Sequence, residues 1–430
     1  MSEEKGVIAM NTSTGLRPLR TSDFFLLMAS VFTVSMGYGV VLPILPFWLE
    51  RISGSLSVPW HTGMLAGGYM LALFAFAPLW GRASDRIGRR PVILLGLGGF
   101  VLTLVLFGFS QSLWLGYLAR ILGGAFASAV LPVSLAYVAD TSQRERRARR
   151  FVWMSTASLL GFLAGPALAG WLSGAAMTMP SGTMVRRGAI WLPFLATGAI
   201  GAVVLLASYL RLPEPVASPS PQRDEEPQRQ NGGTLKALFL LSLLVFFGLG
   251  SFEVGLTLLG QRNLGLDPSR IGIMFMECSL IMLVAQTLVF SSLARDHGRH
   301  MIVAAFLLMA VGLGLLPVAA VFGVLLFLVG LVSAGAGILI PLLSYLVSLH
   351  GGASQGAALG KQTAAASLGQ ALGSAIAGGL FGVTAGAPFW LTAGLMLIGV
   401  AIGSGIGHGL PERGKRAVGT AGEIDESGSG

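Results

Sequence analysis

Charge is scarce in this chain. Of its 430 residues, 11% are Asp, Glu, Lys or Arg, about half the share of an ordinary soluble domain. One cysteine is present, Cys278, which excludes an internal disulfide; set in an apolar run, it reads as a small buried hydrophobe. The five histidines, His61, His297, His300, His350 and His408, are scattered, with no spacing that builds a metal site. No Gly-x4-Gly-Lys-Ser/Thr occurs, which argues against ATP as the driving ligand. No nucleophile stands near a base in a recognisable pattern, so no catalytic residue, metal or cofactor is assigned. Residues 1–22 are polar and lack the pattern of a cleaved leader, so the first apolar run is expected to stay in the protein.

What fills the chain instead is hydrocarbon. Hydrophobic residues make up 53% and mean hydropathy is +0.76. Apolar runs of about 18 residues or more, long enough to cross a bilayer, follow one another along nearly the whole length. Hydropathy places twelve spans near residues 24–49, 61–80, 91–109, 113–139, 151–174 and 188–210, then 235–260, 270–292, 300–317, 319–349, 357–383 and 387–409. The 61 glycines suit helices that pack in lipid through small side chains. A net charge of +9 would suit nucleic acid if it formed a patch. The basic residues lie instead in short loops between apolar runs, so a nucleic-acid partner is excluded on placement.

Residues 211–233, rich in Pro, Gln, Glu and Arg, cannot bury a core and read as a flexible linker. They divide an N-terminal half, 23–210, from a C-terminal half, 234–410, and the polar tail 411–430 is expected to be disordered. Placing residues 1–22 in the cytoplasm leaves Arg51, Arg186, Arg187, Arg262 and Arg270 outside and Arg120 within a span; every other Lys and Arg is then cytoplasmic. That asymmetry predicts cytoplasmic termini.

The densest cluster of charge is Gly81-Arg82-Ala83-Ser84-Asp85-Arg86-Ile87-Gly88-Arg89-Arg90-Pro91, between spans two and three. Gly81 would let helices approach closely and Gly88 would permit a tight turn. Asp85 is stabilised by the arginines around it and by the N-terminus of a neighbouring helix. A shorter echo, Arg295-Asp296-His297-Gly298-Arg299, follows span eight. Gly161-x3-Gly165-x4-Gly170 in span five is matched by Gly369-x3-Gly373-x4-Gly378 in span eleven, and Pro132 in span four by Pro341 in span ten. The three matches share one displacement, about 210 residues, which reads as two six-helix halves of like orientation.

The Gly-x3-Asp-Arg-x-Gly-Arg-Arg loop resembles the loop signature of the major facilitator superfamily of transporters, and the resemblance covers nearly all of residues 20–410. It implies an all-α membrane protein with twelve transmembrane helices in two parallel six-helix halves around a central cavity. It also implies that Gly81, Asp85, Arg86, Gly88, Arg89 and Arg90, with Asp140 ending span four, gate the cytoplasmic side. In the outward-facing state Asp85 would contact Arg89, Asp140 and the start of span eleven. The second copy has no Asp at the place of Asp85, so its latch is expected to be weaker.

Span five carries Gly161, Gly165, Pro166 and Gly170. Glycines four apart make a groove for another helix and proline loosens the backbone, so packing alone would account for them. The pattern also resembles the span-five motif of drug/proton antiporters, with Ala169 where glycine is usual, and that resemblance implies export. Charges inside spans are few, and each costs at least ~2.5 kcal/mol near the bilayer centre. Arg120, in Arg120-Ile-Leu-Gly123-Gly124, resembles the span-four motif linked in the family to proton transfer; the alternative is an arginine that hydrogen-bonds carbonyls between helices. Glu253 in span seven and Glu277 in span eight are carboxyls in apolar surroundings. A carboxyl neutral when sealed and ionised when wetted would couple a proton to alternating access, whereas a structural bond to a neighbouring helix is the other reading. Lys361, at the edge of span eleven, reads as snorkelling to the interface.

The first span contains Met36-Gly37-Tyr38-Gly39-Val40-Val41-Leu42-Pro43-Ile44-Leu45-Pro46. Its glycines and prolines predict a bent or interrupted helix, a pointer to a transport site. The run looks like span one of tetracycline and multidrug exporters, but Val34 and Ser35 stand where tetracycline exporters place an acid. Met36, Tyr38, Phe252, Met274 and Gln286 are candidates to line an adaptable cavity, with plain core packing as the alternative.

The reading that results is a secondary transporter, not an enzyme, in the inner (cytoplasmic) membrane of the cell, exporting small amphipathic compounds by proton antiport. Its partners are the small-molecule substrate, protons and the lipid bilayer, and a monomer is expected. A metabolite or sugar transporter, working as exporter or proton symporter, is the second reading, and a non-transporting membrane sensor the third. Family resemblance does not choose the substrate.

Overall fold

The computed structural model describes residues 20–53, 57–142, 144–178, 190–215, 232–289, 293–319, 321–350 and 355–405. The expectations for residues 1–19, for most of the linker, for the tail and for the loop holding Arg186 and Arg187 lie outside the described residues, as do the side chains of Arg295, Asp296 and His297. Among the described residues twelve helices are long and apolar enough to cross a membrane, and none of these residues is in a strand.

The first half comprises α1 (Thr21–Ser53), α2 (Val58–Ile87), α3 (Arg89–Phe109), α4 (Leu113–Thr141), α5 (Arg144–Thr178) and α6 (Leu192–Arg211). The second comprises α7 (Gly232–Leu258), α8 (Pro268–Val289), α9 (Leu293–Leu315), α10 (Phe322–His350), α11 (Gln355–Phe381) and α12 (Ala387–Gly405). A π turn, Leu259–Asn263, prolongs α7. Span one corrects the expectation of an interrupted helix: α1 is continuous through Pro43 and Pro46. The adjoining stretch of α1 lies backbone to backbone on α5, and such a neighbour lets a helix in a bundle run on through proline.

The packing repeats six helices later. In the first half α1 packs on α5 and α6, α3 on α4 and α6, and α2 on α4; in the second, α7 packs on α11 and α12, α9 on α10 and α12, and α8 on α10. The halves meet through α2 on α11 and α5 on α8, a pair of contacts that the same repeat exchanges.

Glycine makes these seams. A methyl group added at Gly165 would stand 2.8 Å from the Val40 nitrogen and 2.9 Å from the Gly39 carbonyl carbon, so α5 rides on the bare backbone of α1. Its repeat partner Gly373 lies equally close to Phe247 of α7, 2.8 Å from the carbonyl carbon by the same measure. Between the halves, Gly63 of α2 faces Gly378 of α11 at 2.8 Å, and Gly272 of α8 faces the Pro166 carbonyl of α5 at 2.7 Å. Ser269 donates to the Gly170 carbonyl at 2.6 Å and Gln261 donates to Glu50 at 2.8 Å. All of these cross-half contacts lie between mid-span and the end of the bundle remote from the 81–90 turn.

At the turn end the picture reverses. A methyl group at Gly81 would meet nothing within 4 Å, so the close helix approach expected there is not made: the halves are held together at the opposite end. Gly165→Ala is therefore expected to cost about 1–3 kcal/mol by overpacking, whereas Gly81→Ala, in open space on a helix, should be neutral or up to about 1 kcal/mol stabilising. Apparent melting midpoints of the two purified variants check this pair, which should move in opposite directions or leave Gly81→Ala unchanged.

Candidate functional site

Mid-span, where the two halves touch, three polar side chains from three helices converge. Tyr38 of α1 donates its hydroxyl to Glu253 Oε2 at 2.6 Å. Gln370 of α11 donates its amide to Glu253 Oε1 at 3.3 Å and Oε2 at 3.2 Å, and to the Tyr38 hydroxyl oxygen at 3.4 Å. The cluster is sealed, with Glu253 5% exposed and Tyr38 6%. Tyr38 belongs to the first half and its two partners to the second, so this bond set cannot survive separation of the helices that carry it.

Arg120 of α4 stands behind Tyr38. Its guanidinium lies 4.2 Å from the Tyr69 ring centroid, 5.9 Å from that of Tyr38 and 6.0 Å from that of Phe107. Small residues make this possible. Gly124 packs on the Tyr69 backbone, where a larger side chain would push α2 away, and a methyl group at Gly123 would stand in ordinary contact with the Tyr69 ring, 3.7 Å off. The positive charge thus rests on aromatic faces, and the two buried charges, opposite in sign, are separated by Tyr38 rather than paired. The ring stack continues through Tyr38 to Tyr69 at 5.3 Å and to Phe162 of α5 at 5.7 Å.

The other intramembrane candidates lie apart from this cluster. Glu277 is half-buried on α8, beside Gly330 of α10, with Oε2 buried and without a hydrogen-bond partner; no described hydrogen bond joins it to Glu253. Met36, Phe252 and Met274 are buried in the packed interior and Gln286 is half-buried, so among the proposed cavity residues Tyr38 alone is held in the polar cluster. Sequence reasoning missed Gln370 and Tyr69. Gln370 had a signal: it is an amide within a span, directly after Gly369 in the repeat of the span-five motif. Tyr69 had none, because nothing in its neighbourhood marks it apart from core.

The 81–90 turn forms a second polar site. Arg89 Nη1 reaches Asp85 at 2.6 Å and Ser84 Oγ at 2.5 Å, while Nε donates to Asp140 at 3.0 Å. Of the contacts expected of Asp85, the one to Arg89 is made, whereas Asp140 is held by Arg89 rather than by Asp85. Asp85 is largely exposed, and Arg89 is its ion-pair partner among the described residues; the side chains of residues 355–357 at the start of span eleven lie outside the described residues, and the bond expected there with them. Arg86 is exposed. Arg90 donates to the Tyr209 carbonyl at 2.6 Å. Gly88 has φ 99°, the region where glycine is favoured.

Glu214, just past α6, was not anticipated. Its carboxylate accepts from the backbone nitrogens of Arg89 at 2.6 Å and Arg90 at 3.1 Å, the first two of α3. It caps the positive end of that helix and ties the start of the linker to the turn. A side chain at Gly88 would also meet this carboxylate, 2.8 Å from its carbon.

The profile of the Major Facilitator Superfamily matches residues 27–295 and 238–421. Multidrug resistance protein 1 of Bacillus subtilis is 28% identical over 390 residues, 88% of this chain and 94% of that protein. Quinolone resistance protein NorA of Staphylococcus aureus is 26% identical over 385 residues, 88% of this chain and 95% of that one. Among solved structures, a bacterial homolog to the human lysosomal transporter Spinster, in an inward-facing and unoccupied conformation, superposes with TM-score 0.70 at 15% identity, covering 91% of this chain and 98% of that one. The human organic anion transporter MFSD10 superposes with TM-score 0.64 at 23% identity, covering 89% and 99%.

Removing the helix cap by Glu214→Ala is expected to cost about 1 kcal/mol and to speed hydrogen exchange at the amides of residues 89 and 90. Exchange confined to the first turn of α3 is the signature; unchanged protection there would refute the capping role.

Proposed function

The chain belongs to the Major Facilitator Superfamily, and from that membership we propose that it exports small amphipathic drugs by proton antiport, with Glu253 as the proton carrier. The observation that carries this reading is the Tyr38–Glu253–Gln370 cluster: a carboxyl, buried mid-span, held by Gln370 of its own half and bonded across to Tyr38 of the other. The names of the bacterial relatives supply the substrate class, drugs. The protein works as a transporter rather than an enzyme, as a monomer in the cytoplasmic membrane with both termini inside, in keeping with the placement of Lys and Arg.

In its ionised form Glu253 accepts charge-assisted bonds from Tyr38 and Gln370, which are stronger than neutral ones. These bonds hold α1 against α7 and α11 and keep the outer side shut, leaving access from the cytoplasm. A substrate that competes for the carboxylate releases this tie and lets the bundle open outward. A proton taken from outside then neutralises Glu253 and discharges the substrate, and the halves close again before the proton leaves inward. Substrate and proton compete for one carboxyl, and that competition is what makes the exchange an antiport. Arg120 is a fixed positive charge behind Tyr38 and biases the protonation of Glu253 from there. Glu277 lies outside this cluster and is given no coupling role.

The turn at 81–90 gates the cytoplasmic side. Arg89 holds Asp85 and Asp140 in place on the first half, and closure would bring this cluster against the start of α11. Span five contributes through packing: Gly161 and Gly165 seat it on α1, while Pro166 and Gly170 meet α8, so the motif lies on the seam that must stay tight against leakage.

Everted vesicles holding an acid interior test the reading. Lipophilic cations or quinolones should collapse the pH gradient, and Glu253→Gln should abolish the collapse while the protein remains folded. Transport against a gradient with proton movement intact in Glu253→Gln would remove Glu253 from the mechanism.

A further inference from the structure

The guanidinium of Arg120 is satisfied on its faces but not on its edge. The Tyr69 ring lies against it at 4.2 Å, which offsets the charge. Yet Nε and Nη2 are both buried without a hydrogen-bond partner, in a side chain only 4% exposed. Buried donors in folded proteins are nearly always paired, and leaving charged donors unpaired away from water is among the costlier arrangements a chain can hold. A role in packing alone would be served by an apolar residue.

Which atoms are free matters. Nε–H and the N–H of Nη2 beside it lie on the same edge of the planar group and point in parallel. That edge takes a carboxylate through two parallel hydrogen bonds. Within the protein the nearest buried carboxylate, Glu253, is already engaged by Tyr38 and Gln370, and Tyr38 stands between the two. The walls nearby are flat: Tyr38 stacks on Tyr69 at 5.3 Å and on Phe162 at 5.7 Å.

We propose that the Nε/Nη2 edge of Arg120 is the subsite for a carboxylate on the exported compound, so that the favoured substrates are flat aromatic acids, above all zwitterions whose cationic group faces Glu253. This rests on the reading of the chain as a drug exporter and narrows its substrate class. When the bundle opens, Arg120 and Glu253 then bind complementary ends of one ligand, with the Tyr38, Tyr69 and Phe162 rings as the flat wall beside it. A cation lacking an acid engages Glu253 alone and leaves the arginine edge unused.

Equilibrium binding to the purified full-length protein in nanodiscs tests this with three probes: a quinolone carboxylic acid, its methyl ester and tetraphenylphosphonium. The ester should bind about tenfold or more weakly than the acid, the loss expected when one bidentate charged pair in a closed site is removed. In Arg120→Lys, which keeps the charge but not the fork, the acid-to-ester ratio should fall toward one; the ratio is the readout, whatever the absolute affinities. Wild-type protein that binds the cation but holds acid and ester equally overturns the subsite, as does an acid preference that survives in Arg120→Lys. If the variant does not fold, the wild-type ratio decides by itself. Failure of all three probes on folded wild-type protein overturns the export reading and the subsite with it.

Discussion

Apolar side chains gain nothing by leaving lipid for one another, so helices in a bilayer associate where their backbones can come close enough for dispersion and weak polar contacts to add up. In this protein that approach is made at glycine. Gly165 of α5 against α1 and Gly373 of α11 against α7 set the two internal seams, and Gly63 with Gly378 and Gly272 with Pro166 set the seams between halves. A side chain at any of these places would push a helix away by the width of a methyl group and shift every contact beyond it. The polar cluster depends on this. Tyr38 reaches Glu253 because α1 is held by α5, and Gln370 reaches it because α11 is held by α7.

Given those seams, the placement of charge follows an economy of few groups, each used at a crossing point. Glu253 is bonded across the halves to Tyr38 as well as within its own half to Gln370. Arg120 is neutralised by ring faces instead of a partner carboxylate, which leaves its edge available. At the turn end, where solvent reaches the chain, the arrangement is different in kind. Arg89, Asp85, Asp140 and Glu214 form ordinary exposed or half-exposed pairs whose individual worth is small and whose value is in fixing the geometry of one turn. The strong interactions lie on the closed side and mid-span, and the weak ones on the side that parts, as a gated bundle requires.

Much of this was legible in the residues. Span number and order followed from hydropathy, because length and apolarity are what a bilayer demands of a helix. The repeat of Gly161–Gly170 in Gly369–Gly378 pointed to equivalent seams, and the structure has them. Glu253 and Arg120 stood out because charge within a span is costly. What failed did so for a physical reason. Pro43 and Pro46 predicted a bent or interrupted helix, and the interruption is absent: α1 runs on through both, its adjoining stretch held against α5. Gly81 predicted a close approach that belongs to the end where the halves are apart. Glu277 stood out by the same cost argument as Glu253, but no described hydrogen bond brings it into the Tyr38–Glu253–Gln370 cluster.

By itself the sequence determined what local chemistry and periodicity determine: twelve spans, two like halves, the turn with its arginine cluster, and which charges lie in the hydrocarbon. Each of these depends on neighbours along the chain. Tertiary structure alone decided which of those charges meet, that Tyr38 rather than Arg120 touches Glu253, that Gln370 closes the cluster, that Glu214 caps α3, and at which end the bundle is shut. These pairings join residues separated by 117 to 332 positions in the chain, and no local pattern encodes them. They are set by the distances at which glycine lets helix backbones approach.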